Sequence, residues 1–333
     1  MKEYKIPPIG MGTFGSDKYD ADVVANAVYT AIKVGYRLFD CAEVYGNEQE
    51  IGKVFRKAID DGLCKREDLF ITSKVWNNHH NALEVIEACK KTIENLNVGY
   101  IDLYFMHWPF PNFHAKGCDV NSRNEASRPF FVDDFMVAWK QMEALKTMGL
   151  VREIGMSNMT IPKFEAVWDK CEIKPYAHEM EFHPAFQQTK LLDYCKRKGM
   201  QIIGYCPIGS PNRPERDKTP DDVNDLELPS IASLAQINNV HPALICLKWA
   251  SQMGVIPIPF ATKEKNILTN IQSLDMQDFD DEQMQAIASD DKNCRLVKGH
   301  VFLWNGSNDW TDLWDIDDEL AIWTKKENYW IKK

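Results

Sequence analysis

The sequence predicts a parallel (β/α)8 barrel, and three observations carry that expectation. Eight short β-branched or aromatic runs recur along the chain, helix-like stretches separate them, and polar residues cluster where the second, third and fourth runs end. The runs are a first near Ile9 to Phe14, then Tyr36 to Cys41, Leu69 to Val75, Ile101 to Trp108, Val151 to Ser157, Tyr176 to His183, Gln201 to Cys206 and Val255 to Phe260. The intervening stretches place apolar residues three and four apart. Val23, Ala27, Ala31 and Val34 make one such face, and Val85, Ile86, Cys89 and Ile93 another.

The first run contains Gly10-Met11-Gly12-Thr13-Phe14-Gly15, which fits a dinucleotide-binding G-x-G-x-x-G fingerprint. In that fingerprint the third glycine opens the helix, so that pyrophosphate meets its free N–H groups. Here Ser16 to Tyr19 intervene, and the polar ends of later runs are left unexplained. The barrel is the stronger reading.

The chain has 333 residues, 44% of them hydrophobic and 26% charged, enough to bury a sizeable core. No Pro/Gly/Ser linker divides it and no period of 20 to 50 residues repeats. Residues 1–333 therefore read as a single barrel domain, with 292–333 as an aromatic-rich tail. A formal charge of −10 without a Lys/Arg block argues against a nucleic-acid partner. No apolar run approaches the roughly 20 residues that cross a bilayer. Met1 to Gly15 also lacks a basic-then-apolar signal pattern, so a cytoplasmic location is expected. The nine scattered cysteines contain no Cys-x-x-Cys pair and read as reduced thiols. Oligomeric state is not legible.

In such a barrel the strand C-termini form the active-site face. The second run ends in Asp40, followed by Tyr45; the third carries Lys74 before Trp76; the fourth ends in His107-Trp108-Pro109. Asp40, Tyr45, Lys74 and His107 are thus expected at one mouth. Other polar groups read as structural: His79-His80 as a solvated loop, His183-Pro184 and His241-Pro242 as strand-end and helix-start punctuation, and Asp278 to Glu282 as a helix cap. No histidine or cysteine cluster has metal-ligand spacing.

From about Ile6 to about Asp290 these motifs resemble the aldo-keto reductases. The resemblance assigns the catalytic roles to Asp40, Tyr45, Lys74 and His107. It also implies a nicotinamide cofactor, with Ser157 and Asn158 of Gly155-Met156-Ser157-Asn158 at the nicotinamide amide. Within Gly204 to Pro211, Tyr205 would stack on the ring and Ser210 would lie in a phosphate-side loop. The chemistry is consistent with these roles. A phenol with an ordinary pKa near ~10 holds a proton for a carbonyl oxygen at neutral pH. A nearby Lys74 is expected to lower that pKa toward working pH, Asp40 to neutralise and orient the lysine, and His107 to hydrogen-bond the substrate oxygen. No metal is required.

Two departures from the family pattern stand out. Glu179 occupies the place of a usual glutamine at the nicotinamide amide; an ionised glutamate accepts but cannot donate. After the eighth strand, the lysine, serine and arginine that usually grip the NADP 2′-phosphate become Phe260, Ala261 and Asn266, and the adenine-side glutamate becomes Thr269. Lys263, Asn266 and Asn270 remain as cofactor contacts. Weak discrimination between NAD(H) and NADP(H) is therefore expected. Phe14, Trp76, Trp108 and the Trp-rich tail are expected to line a pocket for an aldehyde, ketone or sugar. The alternative is a non-catalytic nicotinamide-binding regulatory or structural module.

Overall fold

Among the described residues, eight parallel strands pair in strict sequence order, which is the topology of a (β/α)8 barrel and excludes the doubly wound sheet of the dinucleotide fingerprint. The computed structural model describes residues 5–115, 117–211 and 213–333; residues 1–4, part of the Met1 to Gly15 segment expected to lack a signal pattern, lie outside them. The strands are β1 (Gly10–Gly12), β2 (Leu38–Asp40), β3 (Phe70–Val75), β4 (Ile101–Met106), β5 (Val151–Ser157), β6 (Ala177–Glu181), β7 (Gln201–Tyr205) and β8 (Ile256–Pro257). Most are shorter than the apolar runs that announced them, because the runs continue into loops at the barrel mouth. Closure between the last strand and the first passes through the Gly12 N–H, which donates to the Pro259 carbonyl at 3.2 Å.

Period-two alternation sorts the strand side chains. Leu38, Phe70, Leu103, Phe105 and Ile203 fill the barrel interior, while Phe39, Ile71, Tyr104 and Met106 join the larger core between strands and helices. Gly155 serves that packing: a Cβ there would meet the Phe105 ring at 2.4 Å, so only glycine leaves the interior room for it.

The outer layer consists of α1 (Ala21–Val34), α2 (Glu48–Asp60), α3 (Glu84–Leu96), α4 (Val132–Thr147), α5 (Ile161–Trp168), α6 (Thr189–Arg197), α7 (Pro229–Asn238), α8 (Pro242–Gln252), α9 (Glu264–Ile271) and α10 (Asp281–Ala288). Their starts follow local chemistry. Thr160 accepts from the Lys163 N–H, His241 caps α8, and Asp280 with Gln283 forms a capping box at α10. None of the described helices is long and apolar enough to cross a membrane.

The tail crosses the mouth. Phe302, Trp304, Leu313, Trp314 and Trp323 bury themselves with Trp76 and Trp108, the residues that follow β3 and β4. It ends in an antiparallel hairpin of β9 (Trp323–Lys326) and β10 (Tyr329–Lys332), for which the sequence offered no signal. Two histidine expectations need correction. His80 is buried and its imidazole is pushed down to about 3 by burial, so the His79-His80 segment is not a solvated loop. His183 is fully buried between Glu181 and Asp225, at 3.0 and 2.9 Å, so it is an ionic core element and not strand-end punctuation.

Candidate active site

Asp40 is the last residue of β2 and lies in register with Thr72 of β3, whose hydroxyl donates to Asp40 Oδ1 at 2.6 Å. Two positions further along β3, Lys74 points to the same interior. Its Nζ donates to both Asp40 oxygens at 2.6 Å and to the Cys41 carbonyl at 3.1 Å. Burial opposes the ammonium charge, but Asp40 and Glu179 outweigh it and hold Lys74 well above its usual value. Lys74 is thus a fixed cation.

Tyr45 closes a single 3-10 turn (Glu43–Tyr45), and the chain leaves it through Gly46 at φ 66°. The Lys74 Nζ lies 5.4 Å from the Tyr45 ring centroid. His107 follows β4, and its ring meets the edge of Tyr45 at 6.0 Å and of Trp76 at 5.1 Å between centroids. Burial, then the Lys74 charge, push His107 well below its ordinary value, so it is a neutral imidazole. Its Nδ1 is buried without a hydrogen-bond partner among the described residues. The electrostatics of Tyr45 differ from the expectation. Lys74 does pull the phenol down, but burial is the larger effect and the net shift is upward, which keeps the proton on the oxygen.

A hydrogen-bonded floor joins this cluster to the next strands. The Tyr205 hydroxyl, at the end of β7, donates to Asn158 Oδ1 at 2.6 Å. The Asn158 amide donates to the His107 carbonyl at 2.9 Å and to Ser157 Oγ at 3.2 Å. Ser157 Oγ donates to the Glu179 carbonyl at 3.0 Å. Glu179 itself reaches inward, with Oε1 3.2 Å from Lys74 Nζ and Oε2 buried without a hydrogen-bond donor among the described residues. Burial, then the Asp40 charge, push its carboxyl upward against the pull of Lys74.

Beyond Tyr205 the chain turns through Gly209 at φ 71° and Ser210 at φ 36°. A Cβ on Gly209 would strike Asp225 Oδ2 at 2.2 Å. Lys263 caps α9, Lys265 and Asn266 are exposed in its first turn, and Asn270 is buried a turn later. The partly open Tyr205 ring, the orphaned Glu179 oxygen and the lysines at a helix N-terminus suit a ligand with an amide-bearing aromatic ring at one end and phosphates at the other. A nicotinamide dinucleotide is such a ligand.

Of the expected pocket residues, Phe14 packs on Tyr45 at 5.2 Å and Trp76 on His107. Trp108 instead sits under the tail, 4.5 Å from Phe302 and 5.4 Å from Trp314. Several participants escaped the sequence reading. Thr72 was legible from its same-face spacing with Lys74; His114 and Phe302, whose rings flank Trp76 at 5.6 and 5.8 Å, come from segments without periodicity. Glu43, which accepts from the Trp76 N–H at 3.2 Å and pairs with His79 at 2.9 Å, gave no signal.

Comparison with known proteins gives a consistent picture. The model of the Aldo/keto reductase family matches residues 8–292 and stops where the tail begins. The chain is 38% identical over 297 residues to aldo-keto reductase family 1 member A1 of Gallus gallus, covering 88% of each chain. It is 38% identical over 290 residues to the NADPH-dependent D-xylose reductase of Candida boidinii, covering 83% of this chain and 86% of the other. Among solved structures, a Bombyx mori aldo-keto reductase in complex with NADP superposes with a TM-score of 0.77 at 30% identity, over 88% of this chain and 91% of that one.

Proposed function

The chain belongs to the aldo/keto reductase family, and from that premise we propose that it is a nicotinamide-dependent carbonyl reductase and alcohol dehydrogenase acting on a small aldehyde, ketone or sugar. The observation that carries this reading is the meeting of Tyr45, Lys74, Asp40 and His107 at one barrel mouth, beside the floor of Ser157, Asn158 and Tyr205.

The nicotinamide, when bound, supplies or accepts the hydride. Tyr45 gives its phenolic proton to the carbonyl oxygen during reduction and recovers it during oxidation. Lys74 stabilises the phenolate that this leaves, and Asp40 fixes the lysine's position and offsets its charge. His107, neutral, orients the substrate oxygen by a hydrogen bond and adds no charge to the site. Ser157, Asn158, Glu179 and Tyr205 hold the ring end of the cofactor, and Ser210, Lys263, Asn266 and Asn270 its phosphate and adenine end. Phe14 and Trp76 line the substrate side; Trp108 supports the tail that covers it. The whole chain acts as one barrel domain, in the cytoplasm.

A panel of aldehydes, ketones and sugars assayed with NADH and NADPH in parallel tests the reading. Carbonyl-dependent oxidation of either cofactor is the expected result. Cofactor binding without turnover of any panel member would favour a non-catalytic binding module.

A further inference from the structure

Two carboxylates, Asp40 and Glu179, face one ammonium in a water-poor interior. Lys74 Nζ lies 2.6 Å from Asp40 Oδ1 and 3.2 Å from Glu179 Oε1, and all three side chains are at most 3% exposed. If both carboxyls were ionised the cluster would carry an uncompensated buried negative charge, a costly state. The hydrogen bonds decide which group takes a proton. Asp40 accepts from Thr72 and, through both oxygens, from Lys74. Glu179 Oε2 is buried and accepts from no donor among the described residues, and its contact with the Asp40 carboxylate itself favours a proton on Glu179. An oxygen without a donor is where a proton is cheapest to place.

The other groups around Glu179 do not supply or remove that charge near neutral pH. Tyr45 from the turn after β2 and Tyr205 from β7 are both raised, chiefly by burial, and stay neutral. Lys74 from β3 is held as a cation. Ser157 at the end of β5, in register with Glu179, and the Asn158 that follows it are uncharged. His107, after β4, is neutral.

Resting on the nicotinamide reading above, we propose that Glu179 is a redox-linked proton site: a neutral acid beside the reduced cofactor, and a carboxylate that has released its proton to solvent beside the oxidised one. The reduced nicotinamide ring is uncharged, so an ionised Glu179 would add only a second buried anion. The oxidised ring is a cation and favours the carboxylate. As the neutral acid, Glu179 offers an Oε2–H donor where an ionised glutamate has none. With the free-enzyme carboxyl raised by burial and Asp40 to about 8, the exchange falls near working pH. The linkage has a definite sign: rising pH weakens binding of the reduced cofactor and strengthens binding of the oxidised one.

Tryptophan-quenching titrations with NADPH and NADP⁺ between pH 7 and 9 test this on wild-type protein and Glu179→Gln. The 2′-phosphate titrates near ~6, below that window, and is common to both proteins. Wild type should change its ratio of the two Kd values by about tenfold across the window, and Glu179→Gln by less than about twofold. The wild-type protein also provides a measurement independent of the variant's folding: calorimetry in buffers of differing ionisation enthalpy should show proton release with NADP⁺ exceeding that with NADPH. Equal pH dependence in wild type and variant, or equal proton release with both cofactors, would overturn the proposal while leaving the function intact. Failure of either cofactor to bind wild type would overturn both.

Discussion

Lys74 Nζ lies 2.6 Å from both carboxylate oxygens of Asp40, in an interior where the two side chains are 1% and 3% exposed. Such a pair can be a structural element or a catalytic one, and substitution separates the two. Lys74→Met leaves Asp40 buried without its cation and should cost about 3–5 kcal/mol of stability. The double variant Asp40→Asn/Lys74→Met should recover much of that stability in urea denaturation and none of the carbonyl reduction. Recovery of turnover with stability would mean that the pair only holds the barrel together.

His183 predicts a pH-dependent stability. Burial opposes its charge, but Asp225 at 2.9 Å and Glu181 at 3.0 Å outweigh that and raise it to about 9 from an ordinary 6.5. The folded state therefore keeps a proton that the unfolded chain loses. This stabilisation is fully present below about pH 6.5 and falls by about 3 kcal/mol as pH rises to about 9. Urea midpoints for wild type should decline across that interval. In His183→Gln the decline should be shallower and the protein less stable at pH 6.5; parallel slopes would contradict the assignment.

Phe302 should govern substrate choice without entering the chemistry. Its ring packs 5.3 Å from His114 and 5.8 Å from Trp76, at the seam between tail and mouth. Phe302→Leu, which replaces a buried ring with a smaller apolar side chain at a cost of about 1–3 kcal/mol, should reorder KM across the carbonyl panel while cofactor Kd stays within about twofold. Unchanged ranking would place the tail's role in packing alone. Removing the whole tail is a poorer probe, because the Leu296 and Val297 N–H groups bind Glu181 at 2.6 and 2.9 Å and their loss would strip a buried carboxylate of its donors.

Cofactor discrimination should be weak, because Phe260, Ala261 and Asn266 supply no cation for a 2′-phosphate. Hydrogen bonds to charged groups contribute about 1.5–3 kcal/mol each, so losing two erases about 100-fold or more of preference. Lys263 at the cap of α9 and Lys265 in its first turn are exposed there. Catalytic efficiencies with NADH and NADPH should lie within about tenfold, and Lys263→Ala or Lys265→Ala should reduce only the NADPH value. An NADPH advantage above tenfold would contradict this, and its loss in Lys263→Ala or Lys265→Ala would show that those lysines hold the 2′-phosphate.

The barrel and its mouth were legible because each rests on local pattern. Apolar runs of strand length mark β2 to β7, and Asp40, Lys74 and His107 are polar residues at strand ends, where an interior side chain would otherwise be apolar. What stayed hidden depends on long-range packing. The Glu181–His183–Asp225 cluster joins the end of β6 to a short 3-10 helix (Asp225–Glu227) that begins 42 residues after His183. Phe302 reaches Trp76 across 226 residues of sequence, and the tail hairpin has alternation too short to announce itself. The direction of the Tyr45 shift was misread for a related reason: the cation was visible in the motif, whereas the burial that outweighs it is a property of the assembled barrel.

Proton donation by Tyr45 can be isolated by single-turnover kinetics with bound NADPH. On mixing with a saturating aldehyde, wild type should oxidise its bound NADPH, and Tyr45→Phe should do so about 100-fold or more slowly, with NADPH Kd nearly unchanged, since general acids typically contribute ~10²–10⁴-fold. Equal single-turnover rates in the two proteins would mean that the proton comes from another group.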